Sequence, residues 1–451
     1  MIIDRAKKPL PKSKIDFNVP KISHGIVDDF EYYHVENNKL PIINLIISQN
    51  FGYRLDTEGK RGLTYLSARM LQKGAGKYNS LELNERFQYL GLNIYSTFHE
   101  DDFAFIIQSL TENFEEAFSL FSDVLYNPHL AEKDFLTEHK NLISSLQHSQ
   151  KEPGNILFNV VNKIFGAGSS IEYPVQGYLD DVKNISIEDI KLYYEKIISK
   201  SKIKLFFTGN ISKDEIENLI KKYLVKRQGV IYKPETVFNN QPLGKRLYYV
   251  NMPGKPQTVI GTAQKIEHHK LIDVYGLEIA LNILGGNFTS RLNSNLREEK
   301  GFTYGISAYR RHHFDIGFIN ITTSVDSNNS ITSVKEIYNE VHKLCENITE
   351  EEVRFTKDHL INTYPMIFTT LQGINVECRS NVLLGYPLDN WEVYREKINN
   401  TDIEAVKKAI KDNINFNNMS TVLIGDKTNF EIDNNDFFET VTELDYNGNK
   451  I

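Results

Sequence analysis

Two apolar runs, KIKLFFTG at Lys202–Gly209 and STVLIG at Ser420–Gly425, constrain the fold more than any other feature of the chain. Each reads as a buried strand, and each closes a segment in which the same order of elements recurs. In the first segment, apolar β-branched runs at Phe30–Val35 and Ile42–Ser48 predict a pair of strands. Helices follow at Gly62–Lys73 and Ser80–Leu90, strands at Leu92–Thr97 and Phe103–Leu110, and helices at Glu112–Leu125 and Ala131–Gln150. The run at Lys202–Gly209 and an amphipathic helix at Lys213–Tyr223 complete it. The second segment repeats the outline, with strands at Leu247–Val250 and Thr258–Ala263, a helix at Ile272–Leu284 and another reaching Arg297. Strands near Tyr304–Tyr309 and Ile316–Ser324, then helices at Ser330–Asn347 and Glu350–Leu371, lead to the closing run at Ser420–Gly425. Two copies of one α+β unit of about 220 residues account for this order, and 451 residues are too many for a single core. Pro, Gly and Asn are dense between Val225 and Gly244, so the boundary is placed there, giving domains 1–232 and 233–451.

Several function classes drop out early. A net charge of −7 with no basic block argues against nucleic acid as a partner. The two cysteines, Cys345 and Cys378, supply neither a disulfide framework nor a thiolate zinc site. No run of about 18 apolar residues predicts a membrane span, and the opening MIIDRAKKPLPKSKIDFNVP has no signal-peptide core, so a soluble cytoplasmic protein is expected. Pro9, Pro11 and Pro20 make that opening an extended arm, read as a strap over another domain. HExxH, GxSxG, GxxxxGK[ST] and GxGxxG are all absent. The pairs His268–His269 and His312–His313 would point to opposite faces of a strand, so they read as surface or loop histidines, not chelating pairs. Phe135–His139 ends in Glu-His with no histidine at its start, and reads as an ordinary solvent-facing helix turn.

The stretch LGGNFTSRLNSNLREEKGFTY at Leu284–Tyr304 needs a different explanation. A glycine pair interrupts an apolar run, and Arg297 and Tyr304 stand seven positions apart across Gly301. The pattern predicts a helix carrying Arg297 near its end, a turn at Lys300–Gly301 and a strand from Phe302 that carries Tyr304. Such an arrangement can aim a guanidinium and a phenol at one point.

LGGNFTSRL followed by LREEKGFTY resembles the C-terminal domain of the pitrilysin/insulinase-type zinc metallopeptidases, in the branch that includes mitochondrial processing peptidase. The resemblance implies an α+β fold of two homologous domains of the mitochondrial-processing-peptidase/LuxS-like metallohydrolase type, each a mostly antiparallel sheet packed with helices. It also implies that Arg297 and Tyr304 bind substrate across a closed chamber, near the zinc site of the opposite half. Catalytic members carry HxxEH in a frame like G-L-A-H-F-L-E-H-M-L-x-K-G. Gly62–Gly74, GLTYLSARMLQKG, keeps that frame and loses its chemistry. Tyr65 and Arg69 stand at the two histidine positions, Ala68 at the glutamate base, and Ser144 and Ser145 where the third ligand belongs. Arginine repels a dication and alanine takes no proton from water, so neither zinc nor catalytic residues are expected in this chain. The resemblance then implies the non-catalytic subunit of a two-subunit peptidase, whose HxxEH-bearing homologous partner holds the zinc and whose substrate is an unfolded peptide. The alternative is an inactive structural subunit, resembling the core proteins of a respiratory complex, or a homodimeric pseudopeptidase.

Overall fold

The computed structural model describes residues 17–169, 171–226, 229–232, 243–267, 272–313, 316–430 and 437–451. Its first half contributes strands β1 (Ser23–Val27), β2 (Phe30–Glu36), β3 (Ile42–Gln49), β4 (Asn93–Phe98), β5 (Phe103–Leu110) and β6 (Ile203–Gly209). The second half contributes β7 (Arg246–Asn251), β8 (Gln257–Ile266), β9 (Ile306–His312), β10 (Gly317–Asp326), β11 (Ser420–Gly425) and β12 (Thr440–Leu444). The strands form two six-stranded sheets, in the orders β1-β2-β6-β3-β5-β4 and β12-β7-β11-β8-β10-β9. From the second position on the two orders correspond, so five strands of each sheet repeat one topology, while the outermost strands β1 and β12 differ in chain position and direction. The sheets are mixed: β2 runs parallel to β6, and β7 runs parallel to both β11 and β12, while the other neighbours are antiparallel.

The closing strands are mostly apolar because both of their faces are covered. In β6, Leu205 and Phe207 pack with Phe114 and Phe118 of their own half. Phe206 points the opposite way, onto Trp391, Cys378 and Phe368 of the second half. In β11, Leu423 meets its own helices while Val422 and Ile424 meet Leu157 and Val160 of the first half. Each sheet therefore has its outer face covered by its own helices and the other by a helix lent from the opposite half. Helix Pro153–Phe165 lies on β8 and β11, and helix Leu371–Leu383 lies on β2, β3 and β6. Ile156, Leu157, Val160, Val161 and Phe165 are all buried in this way. At about 1.5–3 kcal/mol per fully buried side chain, such an exchange ties the halves into one packed unit.

Polar contacts add specificity to the exchange. Asn375 Nδ2 reaches Asn44 O at 3.0 Å and Phe206 O at 2.9 Å. Arg379 Nη2 meets Asp102 at 2.6 Å, and Arg311 Nη1 donates to Asn162 Oδ1 at 3.0 Å. His313 pairs with Glu100 across the same boundary, so it is a mostly buried interface group and not a surface histidine. His268–His269 lies outside the described residues, as do the arm through residue 16 and much of the linker. The end of the arm is visible, and Phe17 packs 5.5 Å from Phe368 of the second half.

Strands β1 and β12 and several helices, Pro153–Phe165 and Leu371–Leu383 among them, were not expected from the sequence, and two expected elements differ in extent. The helix expected over Glu350–Leu371 stops at Thr363, because Pro365 cannot donate in a continuing helix, and a new helix opens at Leu371. The strand expected from Phe302 starts only at Ile306. Among the described residues no helix is long and apolar enough to cross a membrane.

Candidate functional site

Helix Leu63–Met70 carries the degenerate motif, and its start is fixed by Asp56. Gly62 N and Thr64 N donate to the Asp56 carboxyl at 2.8 and 2.9 Å, and Thr64 Oγ1 donates at 2.7 Å. Burial pushes that carboxyl up to about 7 against these bonds. Gly62 is left-handed (φ 103°), and a Cβ there would sit 2.6 Å from Gln176 O, so glycine is required on both counts.

From this start Tyr65, Ala68 and Arg69 occupy the positions picked out by sequence. Ala68 is sealed in the core. Arg69 Nε donates to Glu138 Oε2 at 2.8 Å, and Lys73 Nζ meets Glu138 Oε1 at 2.9 Å. Arg69 also lies over the Tyr65 ring, 5.9 Å from its centroid, and Tyr65 packs 4.7 Å from Phe98 of β4. Burial alone would raise the Glu138 carboxyl, but Lys73 and Arg69 outweigh it and hold it below the usual range.

Glu138 corrects the reading of Phe135–His139 as a solvent-facing turn: its side chain is 5% exposed, and His139 Nε2 donates to Val182 O at 2.7 Å. Ser144 and Ser145 are exposed on the same helix, Glu132–Ser149. The acid that reaches the motif stands two turns before Ser145, a signal visible in the sequence as a matching helix face but not weighed there. Zinc does not fit this set, since its place beside Glu138 is taken by a guanidinium and an ammonium, with alanine at the base position. Among the described residues no group of three His, Cys, Asp or Glu side chains could hold a metal ion.

Two π-helical turns, Asn282–Gly286 at the start of the Leu284–Tyr304 stretch and Asn293–Glu299 within it, take a form that concentrates at functional sites. The glycine pair allows close approach: a Cβ on Gly285 would lie 2.6 Å from Ala308 N of β9. Arg297 sits near the end of the second turn, with its guanidinium 4.0 Å from the centre of the Phe288 ring. Its nearest carboxylate oxygen, on Glu298, is 3.4 Å away. Gly301 (φ 64°) ends the helix, and Phe302 N closes it onto Leu296 O at 2.8 Å.

The segment beyond is anchored at every residue but one. Asn293 Nδ2 donates to Ile306 O at 2.8 Å, Asn295 Nδ2 donates to Glu340 Oε1 at 2.9 Å, and Thr303 Oγ1 donates to Ser324 O at 2.9 Å. Tyr304 projects from this fixed backbone with 92% exposure, just ahead of β9. Phe288 is also exposed and Arg297 is half-buried, so all three reach the surface from a hydrogen-bonded support. Phe288, at 57% exposure, is a contributor that the sequence reading did not single out.

Comparison with known proteins agrees with the fold. Residues 35–177 match the family model "Insulinase (Peptidase family M16)", and residues 184–360 match "Peptidase M16 inactive domain". An "Uncharacterized zinc protease" of Rickettsia bellii is 22% identical over 78% of this chain and 84% of its own. The "Non-peptidase homolog YmxG" of Helicobacter pylori is 19% identical over 87% of this chain and 91% of its own. Cytochrome b-c1 complex subunit 1 of Caenorhabditis elegans is 23% identical over 83% and 82%. Among solved structures, the peptidase M16 inactive domain from Pseudomonas fluorescens superposes with a TM-score of 0.81 at 18% identity, covering 90% of this chain and 98% of that one.

Proposed function

We propose that this chain, which belongs to the insulinase (M16) peptidase family, is the non-catalytic half of a two-subunit peptidase and presents Arg297 and Tyr304 to a peptide at its partner's metal site. One observation carries the reading: a salt-bridged Arg69–Glu138–Lys73 cluster fills the degenerate motif, while a rigid loop holds Tyr304 almost wholly in solvent. An exposed aromatic on an immobilised backbone does nothing for this chain's own packing, and it can be satisfied by an external ligand. The metal chemistry belongs to the HxxEH-bearing partner. This chain's part is to donate hydrogen bonds from the Arg297 guanidinium and the Tyr304 hydroxyl to backbone carbonyls of an unfolded peptide. Phe288 keeps the guanidinium plane in place by stacking.

The test is co-expression with an HxxEH-bearing homologue and assay on an unstructured peptide. Arg297→Ala and Tyr304→Phe are each expected to lower turnover by roughly 10- to 1,000-fold. Wild-type rates in both variants would remove the assigned roles. The second reading, a structural subunit or homodimeric pseudopeptidase, draws on the likeness to cytochrome b-c1 complex subunit 1 and to the non-peptidase homolog. A stable homodimer with no affinity for an HxxEH-bearing chain would favour it.

A further inference from the structure

We infer that a crevice in the second half, between Arg310 of β9 and Glu278 of helix Val274–Leu281, binds a free α-amino acid, its carboxylate on the guanidinium and its ammonium on the carboxylate. The site shares no residue with the Arg297–Tyr304 loop and does not depend on the role in trans.

The first observation is an arginine with nothing to bond. Among the described residues the Arg310 guanidinium has no hydrogen bond and no ion pair, and its Nη1 is sealed from solvent without a partner. A buried charged donor left in that state is costly, so its presence calls for an occupant. Glu278 is the acid whose charge acts on it, yet the two do not pair. Glu278 Oε1 instead accepts from the Tyr394 hydroxyl at 2.6 Å. Burial raises the Glu278 carboxyl and lowers the Arg310 guanidinium, and neither charge relieves the other.

The second observation is that the wall carrying Glu278 is fixed. The Tyr394 ring lies 4.3 Å from Tyr364 and 6.1 Å from Tyr275, which stands one turn before Glu278 on the same helix face. The Tyr275 hydroxyl donates to Asn390 Oδ1 at 3.5 Å, Asn390 Nδ2 to Asn381 Oδ1 at 2.9 Å, and Asn381 Nδ2 to Glu377 Oε1 at 3.2 Å. This chain joins helix Val274–Leu281 to helix Asn390–Asn400 and to the lent helix Leu371–Leu383, so Glu278 stays with Tyr394.

The third is the balance of charge. Glu377 is close enough that the Glu278 charge adds to burial in raising its carboxyl. A simple anion on Arg310 would face two acids, and a simple cation on Glu278 would face Arg310. A ligand that carries both charges on one carbon answers both groups. Arg310, Glu278, Tyr275, Tyr386 and Tyr394 are all half-buried, which leaves the crevice open to a small molecule. The tyrosine rings suit an aromatic side chain, so L-phenylalanine is the probe.

Isothermal titration calorimetry of the full chain compares L-phenylalanine with its amide, which lacks the carboxylate, and with N-acetyl-L-phenylalanine, which lacks the ammonium. The free amino acid is expected to bind roughly 10- to 100-fold tighter than either analogue, the worth of one hydrogen bond to a charged group. Arg310→Met should make the amino acid and the amide alike. Glu278→Gln, which keeps an acceptor for Tyr394, should make the amino acid and the N-acetyl form alike. Arg310→Met should also leave the urea midpoint unchanged or raised, because no internal bond is lost, whereas a structural arginine would lower it. No binding of L-phenylalanine, equal binding of all three, a preference that survives both substitutions, or a lowered midpoint in Arg310→Met overturns the proposal. Tyr304→Phe should leave every affinity alone, so this site and the role in trans fail separately.

Discussion

Replacing Arg379 with methionine should loosen the whole molecule, because it strands a carboxylate at the centre of the exchanged-helix interface. Arg379 approaches Asp102 Oδ1 through Nε at 3.1 Å and Nη2 at 2.6 Å, and both side chains are buried. Burial already raises the Asp102 carboxyl with Arg379 in place, so the charge is not fully compensated even in the wild type. Without the guanidinium, the Ser48 hydroxyl at 2.8 Å is the side-chain donor left to it among the described residues. Removing one partner of a buried pair costs about 3–5 kcal/mol, whereas neutralising both is far cheaper. The expected result is a large loss in Arg379→Met and recovery of much of it in Arg379→Met/Asp102→Asn. The chain has one tryptophan, Trp391, which is 1% exposed and packs 5.3 Å from Phe368 beside this interface. Its fluorescence during urea unfolding therefore follows the interface, while far-UV circular dichroism follows the sheets. If the exchanged helices make one cooperative unit, both signals shift together. A change under about 1 kcal/mol, or a tryptophan transition that moves away from the dichroism, would refute the argument.

Three further predictions come from separate places. The Glu138 carboxyl lies below its ordinary 4.5, so the stability from its ion pairs is present above that pH and is lost as pH falls through the folded-state value; Glu138→Gln should flatten the acid limb of a thermal-denaturation profile. Gly285→Ala drives a Cβ to 2.6 Å from Ala308 N, where backbone must shift, and should lower stability by about 1–3 kcal/mol in chemical denaturation. Asn375→Ala leaves Asn44 O and Phe206 O without their inter-half donor and should cost about 1–3 kcal/mol by the same measurement, with no effect expected from Tyr304→Phe as a surface control.

Much of the architecture was legible because it is written in local patterns. The apolar runs at Lys202–Gly209 and Ser420–Gly425 mark β6 and β11, and the repeated order of elements around them is the repeated order of five strands in each sheet. Boundaries slipped where local cues were ambiguous: Pro365 splits a helix that periodicity alone would run on, and the Thr303 turn holds back the start of β9. The replacement of ligand residues by Tyr65, Ala68 and Arg69 needs only residue identities in a recognisable frame.

What those replacements do instead is a matter of contacts between distant residues. Glu138 lies 69 residues from Arg69 and His313 lies 213 from Glu100, and no periodicity spans such separations. The same holds for the two lent helices, Pro153–Phe165 and Leu371–Leu383, which the sequence reading did not pick out and whose partners lie in the opposite half. The order of elements, their duplication and the lost metal site were thus determined by the chain itself, since each depends on neighbours along the backbone. Which charge answers Arg69, which sheet each lent helix covers, and that Tyr304 stands in solvent were decided only by the tertiary structure, because burial and pairing energies depend on what the fold brings together in space.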